Sequence, residues 1–327
     1  MSASELRGGI DLGGTKIEAI VVDSAHTVRG SARVATPTEG GPADVAAAMA
    51  DAMRKAAEAA GVDTGELGGV GVGSPGVVDR QAGTVTGARN LPDWSGSFPL
   101  AAKLEALVSA PVALGNDVQA GTSAEMALGA GRAYDSFLGV FWGTGVGGGV
   151  VINRRLWTGR GAAGEIGHVV VREGGRRCTC GRDGCLEAYA GRLAMELRAR
   201  KEHEDGEHTV LFELMKEHGR EHLTSSIWER ALKAHDKLAH ELIDRAVEAL
   251  ATGIASAINL LDLEAVIVGG GLGLRLGERY VERIEAAMTP HLFADQRPPR
   301  VQLAALGDLG GAIGASLLVN AVRAEGS

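Results

Sequence analysis

Gly9-Ile10-Asp11-Leu12-Gly13-Gly14-Thr15-Lys16, continued by the apolar run 17–22, reads as a strand, a tight glycine turn and a returning strand. The same grammar comes back midway: an apolar run at 137–141, then Trp142-Gly143-Thr144-Gly145-Val146-Gly147-Gly148-Gly149, then a strand at 150–152. This is an echo rather than a sequence repeat. It predicts two related α/β halves facing a cleft. Around these hairpins the pattern stays mixed. Helices are expected over 43–60 (closed by Gly61), 100–108, 118–128, 186–201, 279–288 and 309–324. Leu238, Leu242, Ala246, Leu250, Ile254 and Ile258 recur every four residues and predict a long amphipathic helix from Asp236. Strands are expected at 70–73, 111–114, 265–268 and 301–303, and residues 202–225, rich in Glu, His and Lys, read as a solvated, mobile insertion.

Bulk properties narrow the function classes. The 327 residues are 45% hydrophobic and 23% charged, an ordinary globular balance. A net charge of -8 without a basic patch argues against nucleic-acid or anionic-membrane partners. The most apolar stretch, 255–274, is broken by Asn259, Asp262 and Glu264, so no membrane span is expected. The opening residues have no apolar leader core, and three cysteines cannot all pair. A reducing cytoplasm, with the thiols serving a metal, is the expectation.

All three cysteines fall within eight residues, at Cys178, Cys180 and Cys185. The spacing is not that of a redox Cys-x-x-Cys pair, and scattered core thiols would not cluster so tightly. Three thiolates and one imidazole make a closed tetrahedral zinc site. Among the histidines, His168 in Glu165-Ile166-Gly167-His168 is near and glycine-flanked. His203, His208, His218 and His222 lie in the charged insertion and read as a solvated face. His203 and His208 stand five apart, on different faces of any helix, which rules out a zinc-protease pair. Glu165 and Glu187 bracket the cluster, so a metal would fix a loop edged with acids.

Two glycine turns, Asp11–Lys16 and Gly143-Thr144-Gly145, could gather backbone N–H groups around a phosphate, with Asp11 where Mg²⁺ needs a carboxylate oxygen. Plain hairpin turns would look alike, since neither run is a Walker loop or a dinucleotide fingerprint. Gly269-Gly270-Gly271, following a strand, adds weight to nucleotide binding. Asn116-Asp117 stands at a strand-to-helix junction, where Asp117 is either an N-cap or a general base.

Taken together, Glu-Ile-Gly-His at 165–168, Cys-x-Cys-Gly-x-x-Gly-Cys-x-Glu at 178–187, Asp-Leu-Gly-Gly-Thr-Lys at 11–16, Gly-Ser-Pro-Gly-Val-Val-Asp at 73–79 and Asn116-Asp117 resemble, in order, the signature of the ROK (repressor, ORF, kinase) sugar kinases. The run Asn90-Leu91-Pro92-Asp93-Trp94 leading to Pro99-Leu100 is most similar to the bacterial glucokinases of that family. The resemblance implies an actin-like ATPase (ribonuclease H-like) fold. Its small α/β domain would take residues 1–115 completed by 308–327, and the large one, carrying the zinc loop, 116–307. ATP and a hexose would meet in the cleft, with glucose phosphorylated at its C6 hydroxyl. Kinases for N-acetylmannosamine, N-acetylglucosamine, fructose or allose, and a non-catalytic sugar sensor, are the alternatives.

By the same resemblance Asp117 is the base, and Gly76, Asn90, Asn116, Asp117, Glu165, His168 and Glu187 line the sugar. His168 would be shared between zinc and sugar. Asp11, Gly13, Gly14, Thr15, Lys16, Gly143, Thr144 and Gly145 would hold phosphates with Mg²⁺, and Gly269, Gly270 and Gly271 would lie beside the adenosine. His168, Cys178, Cys180 and Cys185 would hold structural zinc. A homodimer or homotetramer is expected. A chain opening on its first strand is expected to lack the DNA-binding domain of the repressor members.

Overall fold

The structure, a computed structural model, describes residues 6–88 and 91–325. It divides into two compact units, Met1–Leu128 with Asp308–Ser327, and Gly129–Gly307. The first contains β1 (Arg7–Leu12), β2 (Lys16–Val22), β3 (Val28–Ala35), α1 (Pro42–Ala59), β4 (Val70–Ser74), β5 (Val77–Asp79), β6 (Thr84–Thr86), β7 (Ser97–Phe98), α2 (Leu100–Val108), β8 (Val112–Asn116) and α3 (Asp117–Leu128). The second contains β9 (Phe137–Trp142), β10 (Val146–Ile152), β11 (Arg155–Trp157), α4 (Glu187–Ala190), α5 (Arg192–Glu204), α6 (Leu211–Glu217), α7 (Ser225–Lys233), α8 (Lys237–Leu261), β12 (Ala265–Gly269), α9 (Gly270–Leu276), α10 (Glu278–Met288) and β13 (Arg300–Leu303). Helix α11 (Gly310–Glu325) returns to the first unit.

The two sheets share one wiring. In the first, the order is β3-β2-β1-β4-β8, with β1 to β3 antiparallel and β4 and β8 parallel to β1. In the second it is β11-β10-β9-β12-β13, with β9 to β11 antiparallel and β12 and β13 parallel to β9. This duplicated sheet is the actin-like ATPase architecture. The hairpin echo in the sequence is therefore an echo of topology.

Packing explains the elements. Helix α1 starts with Pro42 in its first turn, where the missing N–H costs nothing, and buries Val45, Met49, Met53 and Ala56. Gly61, with φ +76°, ends it by donating to the Glu58 carbonyl. Helix α8 is opened by Asp236, whose carboxylate accepts from the Ala239 N–H at 2.8 Å, and it buries the stripe that periodicity predicts. Trp142 and Trp228 lie fully buried in the second core, and Trp94 anchors the first. Helix α11 lies so close on β4 that a Cβ at Gly71 would stand 1.8 Å from the Ala315 carbonyl oxygen. Only glycine permits that approach.

Several expectations need correction. The boundary expected after residue 115 falls after Leu128, because α3 packs against α11 and stays with the first unit. The helix expected over 186–201 breaks at Gly191 into α4 and α5, where Arg192 N and Leu193 N donate to the carbonyls of Gly143 and Thr144. Residues 202–225 are not a loose insertion. Helix α5 runs to Glu204, α6 is ordered, and Thr209, Leu211 and Leu223 are buried. The Thr209 hydroxyl donates to Asp236 at 3.1 Å, and the Leu223 N–H donates to Glu196 at 2.9 Å. Strand β3, the small sheet β5-β6-β7 and helix α7 had no expected counterpart.

Candidate active site and metal centre

The ligand atoms of His168, Cys178, Cys180 and Cys185 all lie within 4.8 Å of one another. His168 Nδ1 is 3.8 Å from Cys178 Sγ, and Cys180 Sγ is 3.7 Å from Cys185 Sγ. Zinc–sulfur bonds of about 2.3 Å at tetrahedral angles put sulfurs about 3.8 Å apart, so the spacing fits a closed zinc site. The loop is built for it. Cys178 N donates to the Arg182 carbonyl, Gly181 N to that of Cys178, and short bridges join Val170 to Cys185 and Arg177 to Asp183. Burial works to raise the Cys180 thiol, but hydrogen bonds from Arg182 and the neighbouring thiols bring it down to about 6. Cys185 is pushed up to about 12, first by burial and then by its hydrogen bonds to the other two thiols. One thiolate beside reluctant thiols is a cluster that a divalent cation would complete, since coordination deprotonates thiols.

His168 turns its other ring nitrogen toward one acid. Its Nε2 is 4.0 Å from Glu165 Oε2, and the Glu165 side chain is 57% exposed, free to meet a ligand. Glu187 opens α4, and its Oε2 accepts from the Val146 N–H at 2.9 Å. That carboxylate sits where the side chain of residue 145 would be: a Cβ there would stand 2.2 Å from Oε2. Gly145 is thus bound up with seating Glu187, a role beyond the phosphate cradle expected of it.

The turn Gly143–Gly145 joins β9 to β10, and β12 lies beside β9 with Gly269 opposite Phe141. This register brings Gly143 next to the Gly269–Gly271 segment, its Cβ position 3.8 Å from Gly271 N. Arg192, which the sequence did not flag, holds the turn from behind. Its Nη2 donates to Thr144 Oγ1 at 2.9 Å and its Nη1 to the Leu223 carbonyl at 2.8 Å, while the residue is 8% exposed. An arginine after a glycine carries no signal of its own in the sequence, because the burial that gives it this role is set by the fold.

In the first unit, Asp11 ends β1 and the turn Gly13–Lys16 closes through Gly13 N donating to the Lys16 carbonyl at 3.0 Å. Thr36 donates to the Gly13 carbonyl, and Lys16 pairs with Glu18 at 3.6 Å. Asp11 pairs in register with Gly73, and Ser74 with Asn116, which lines up the ends of β1, β4 and β8. The Asp11 carboxyl is pushed up to about 7, first by burial and then by the charge of Asp117, against the pull of Lys16. The helix cap, one of the two readings for Asp117, is supplied by its neighbour: Asn116 Oδ1 accepts from Gln119 N at 3.0 Å, while Asp117 Oδ1 accepts from Val118 N. Gly76 sits in the turn between β4 and β5 with φ +86°. Asn90 lies outside the described residues.

Comparison with known proteins gives the family. The ROK family model matches residues 7–322. The glucokinase of Thermotoga maritima is 35% identical over 274 residues, 83% of each chain. The N-acetylgalactosamine kinase of Shewanella sp. is 32% identical over 95% of both. A ROK family glucokinase from Streptomyces griseus, solved with glucose and AMPPNP, superposes with a TM-score of 0.82 at 32% identity, covering 97% of this chain and 99% of that one. With its duplicated sheets and its Cys₃His loop, the chain belongs to the ROK family.

Proposed function

We propose that this protein is an ATP-dependent sugar kinase that phosphorylates a hexose on its C6 hydroxyl, with glucose as the preferred sugar. The observation that carries the reading is the two-sided placement of His168. Nδ1 faces the three sulfurs while Nε2 faces Glu165, so a structural metal and a polar-substrate surface share one ring. A sugar needs several fixed donors and acceptors, and Glu165, His168 and Glu187 offer them from one metal-held loop, joined in this reading by Gly76, Asn90 and Asn116. Zinc bound by His168, Cys178, Cys180 and Cys185 would supply order, not chemistry, since four protein ligands leave no open position for water.

Phosphoryl transfer asks the protein mainly for positioning and charge neutralisation. In this reading Asp117 takes the proton of the attacking hydroxyl as the new bond to phosphorus forms. Asp11 would hold, through a carboxylate oxygen, the Mg²⁺ that accompanies ATP, and that ion would supply charge neutralisation at the phosphates. The turns at Asp11–Lys16 and Gly143–Gly145 would offer N–H groups and the hydroxyls of Thr15 and Thr144 to the phosphates, and Gly269, Gly270 and Gly271 would lie beside the adenosine. The three free thiols fit a reducing cytoplasm. A homodimer or homotetramer is part of the same reading.

The matched N-acetylgalactosamine kinase favours one second reading, an N-acetylhexosamine as substrate. A coupled assay across glucose, fructose, allose, N-acetylglucosamine, N-acetylmannosamine and N-acetylgalactosamine, with ATP or polyphosphate and Mg²⁺, decides. Glucose should give the highest kcat/KM. Turnover of an N-acetylhexosamine above glucose would replace the substrate, and no turnover of any sugar would make the protein a sensor.

A further inference from the structure

The outer side of the metal loop carries a cavity of about 620 Å³ between that loop and helix α8. Arg172 and Arg176 come from the loop and Arg245 from α8, with Glu248 as the only acid among the lining residues. Three guanidinium groups against one carboxylate leave a positive cavity. Arg176 is stacked over the Tyr189 ring at 4.9 Å, and its backbone N–H donates to the Tyr189 hydroxyl at 2.9 Å, which fixes its position. Its Nη1 is buried with no hydrogen-bond partner among the described residues. Arg198 and Arg245 are near enough to repel it, and Glu202 offsets them only partly. Arg198 is itself engaged with Glu202, yet its Nε is likewise buried without a partner among the described residues. Arg245 reaches Glu241 only at 3.8 Å, with both side chains nearly half exposed.

A buried guanidinium N–H without an acceptor destabilises the fold, and like charges held together add to that cost. Such an arrangement is stable when an anion sits among the arginines, and planar guanidinium groups match phosphate oxygens two at a time. We propose that this cavity is a binding site for a small phosphorylated ligand, its phosphoryl group held by Arg172, Arg176 and Arg245. Glu248 and Thr252, one turn apart on α8, face the same space and suit the hydroxyls of a sugar attached to that phosphoryl group. Neither side of the cavity includes a residue placed above in sugar or ATP binding, so the site stands apart from the kinase reading. Arg176 lies two positions before Cys178, so occupancy would brace the loop that bears His168.

The test uses the zinc-loaded full chain, saturated with a non-hydrolysable ATP analogue, and titrates inorganic phosphate and, separately, a hexose 6-phosphate by calorimetry at constant ionic strength. Saturable binding with a Kd below about 1 mM is expected. Arg245→Glu and Arg172→Glu should each weaken it at least about tenfold, with zinc content and far-UV circular dichroism unchanged. A tighter fit for the hexose phosphate assigns a sugar-phosphate site, and equal affinity assigns a site for the phosphoryl group alone. No saturable binding, or binding within about twofold of wild type in both variants, overturns the proposal.

Discussion

Arg192 Nη2 donates to Thr144 Oγ1 at 2.9 Å from a position almost sealed from water. The guanidinium takes one of the two lone pairs of this hydroxyl and fixes the oxygen in the turn, while the hydroxyl keeps its own hydrogen to donate elsewhere. The same arginine grips the Leu223 carbonyl, so the segment expected to be mobile is part of the turn's support. Arg192→Met should therefore raise KM for ATP at least about tenfold while KM for the sugar stays within about twofold. Thr144→Val should shift the ATP value in the same direction. An equal rise in both constants would mean that Arg192 serves only the fold.

Asn116, not Asp117, accepts the capping hydrogen bond from Gln119 N, and in the proposed mechanism Asp117 is the base. Asp117→Asn should keep sugar binding within a few-fold and lower kcat by at least about 10²-fold, the usual cost of losing a positioned base. Asn116→Ala should instead cost about 1 kcal/mol of stability through the lost cap. Turnover near wild type in Asp117→Asn, measured by coupled assay, would remove Asp117 from the mechanism.

The metal cluster and the acids share His168, which ties zinc to sugar affinity. Cys180→Ala, or prolonged chelation, should lower zinc stoichiometry and weaken glucose binding together. Calorimetry and metal analysis on the same samples provide the check. Zinc loss with unchanged glucose affinity would separate the ion from the pocket.

Gly145 admits the Glu187 carboxylate, whose tip would collide with any Cβ. That tip can swing, so Gly145→Ala should cost no more than about 1.5 kcal/mol of stability. The swing breaks the bond from Val146 N, so KM for glucose should rise several-fold more than that small stability loss suggests. A variant with wild-type KM would show that Glu187 does not need this seat.

Asp11 has an unfolded value near 3.8 and is pushed up to about 7 in the fold, chiefly by burial and then by Asp117. Below about pH 4 both states hold the proton. Between about 4 and 7 the folded state holds it and the unfolded chain does not, so stability falls as pH rises through that window. Asp11 keeps partial solvent contact, so the loss in metal-free protein should be on the order of 1–3 kcal/mol. Asp11→Asn should flatten it. Urea denaturation at pH 5 and pH 8 tests this, and equal losses in both proteins would clear Asp11 of the effect.

Local chemistry was legible in the sequence wherever a pattern repeats within a few residues. Three cysteines in eight positions announced a metal loop, paired glycine-threonine turns announced duplicated hairpins, and the four-residue spacing after Asp236 marked α8. Such features need only neighbours along the chain. Tertiary packing alone decided that α3 stays with α11, that Gly191 breaks a helix to seat the Gly143–Gly145 turn, and that Asn116 rather than Asp117 caps α3. It also decided that Arg192 reaches 48 residues back to Thr144. Those contacts join residues far apart in sequence, and their energy comes from burial and from satisfying polar groups once water is gone. No local periodicity carries that information.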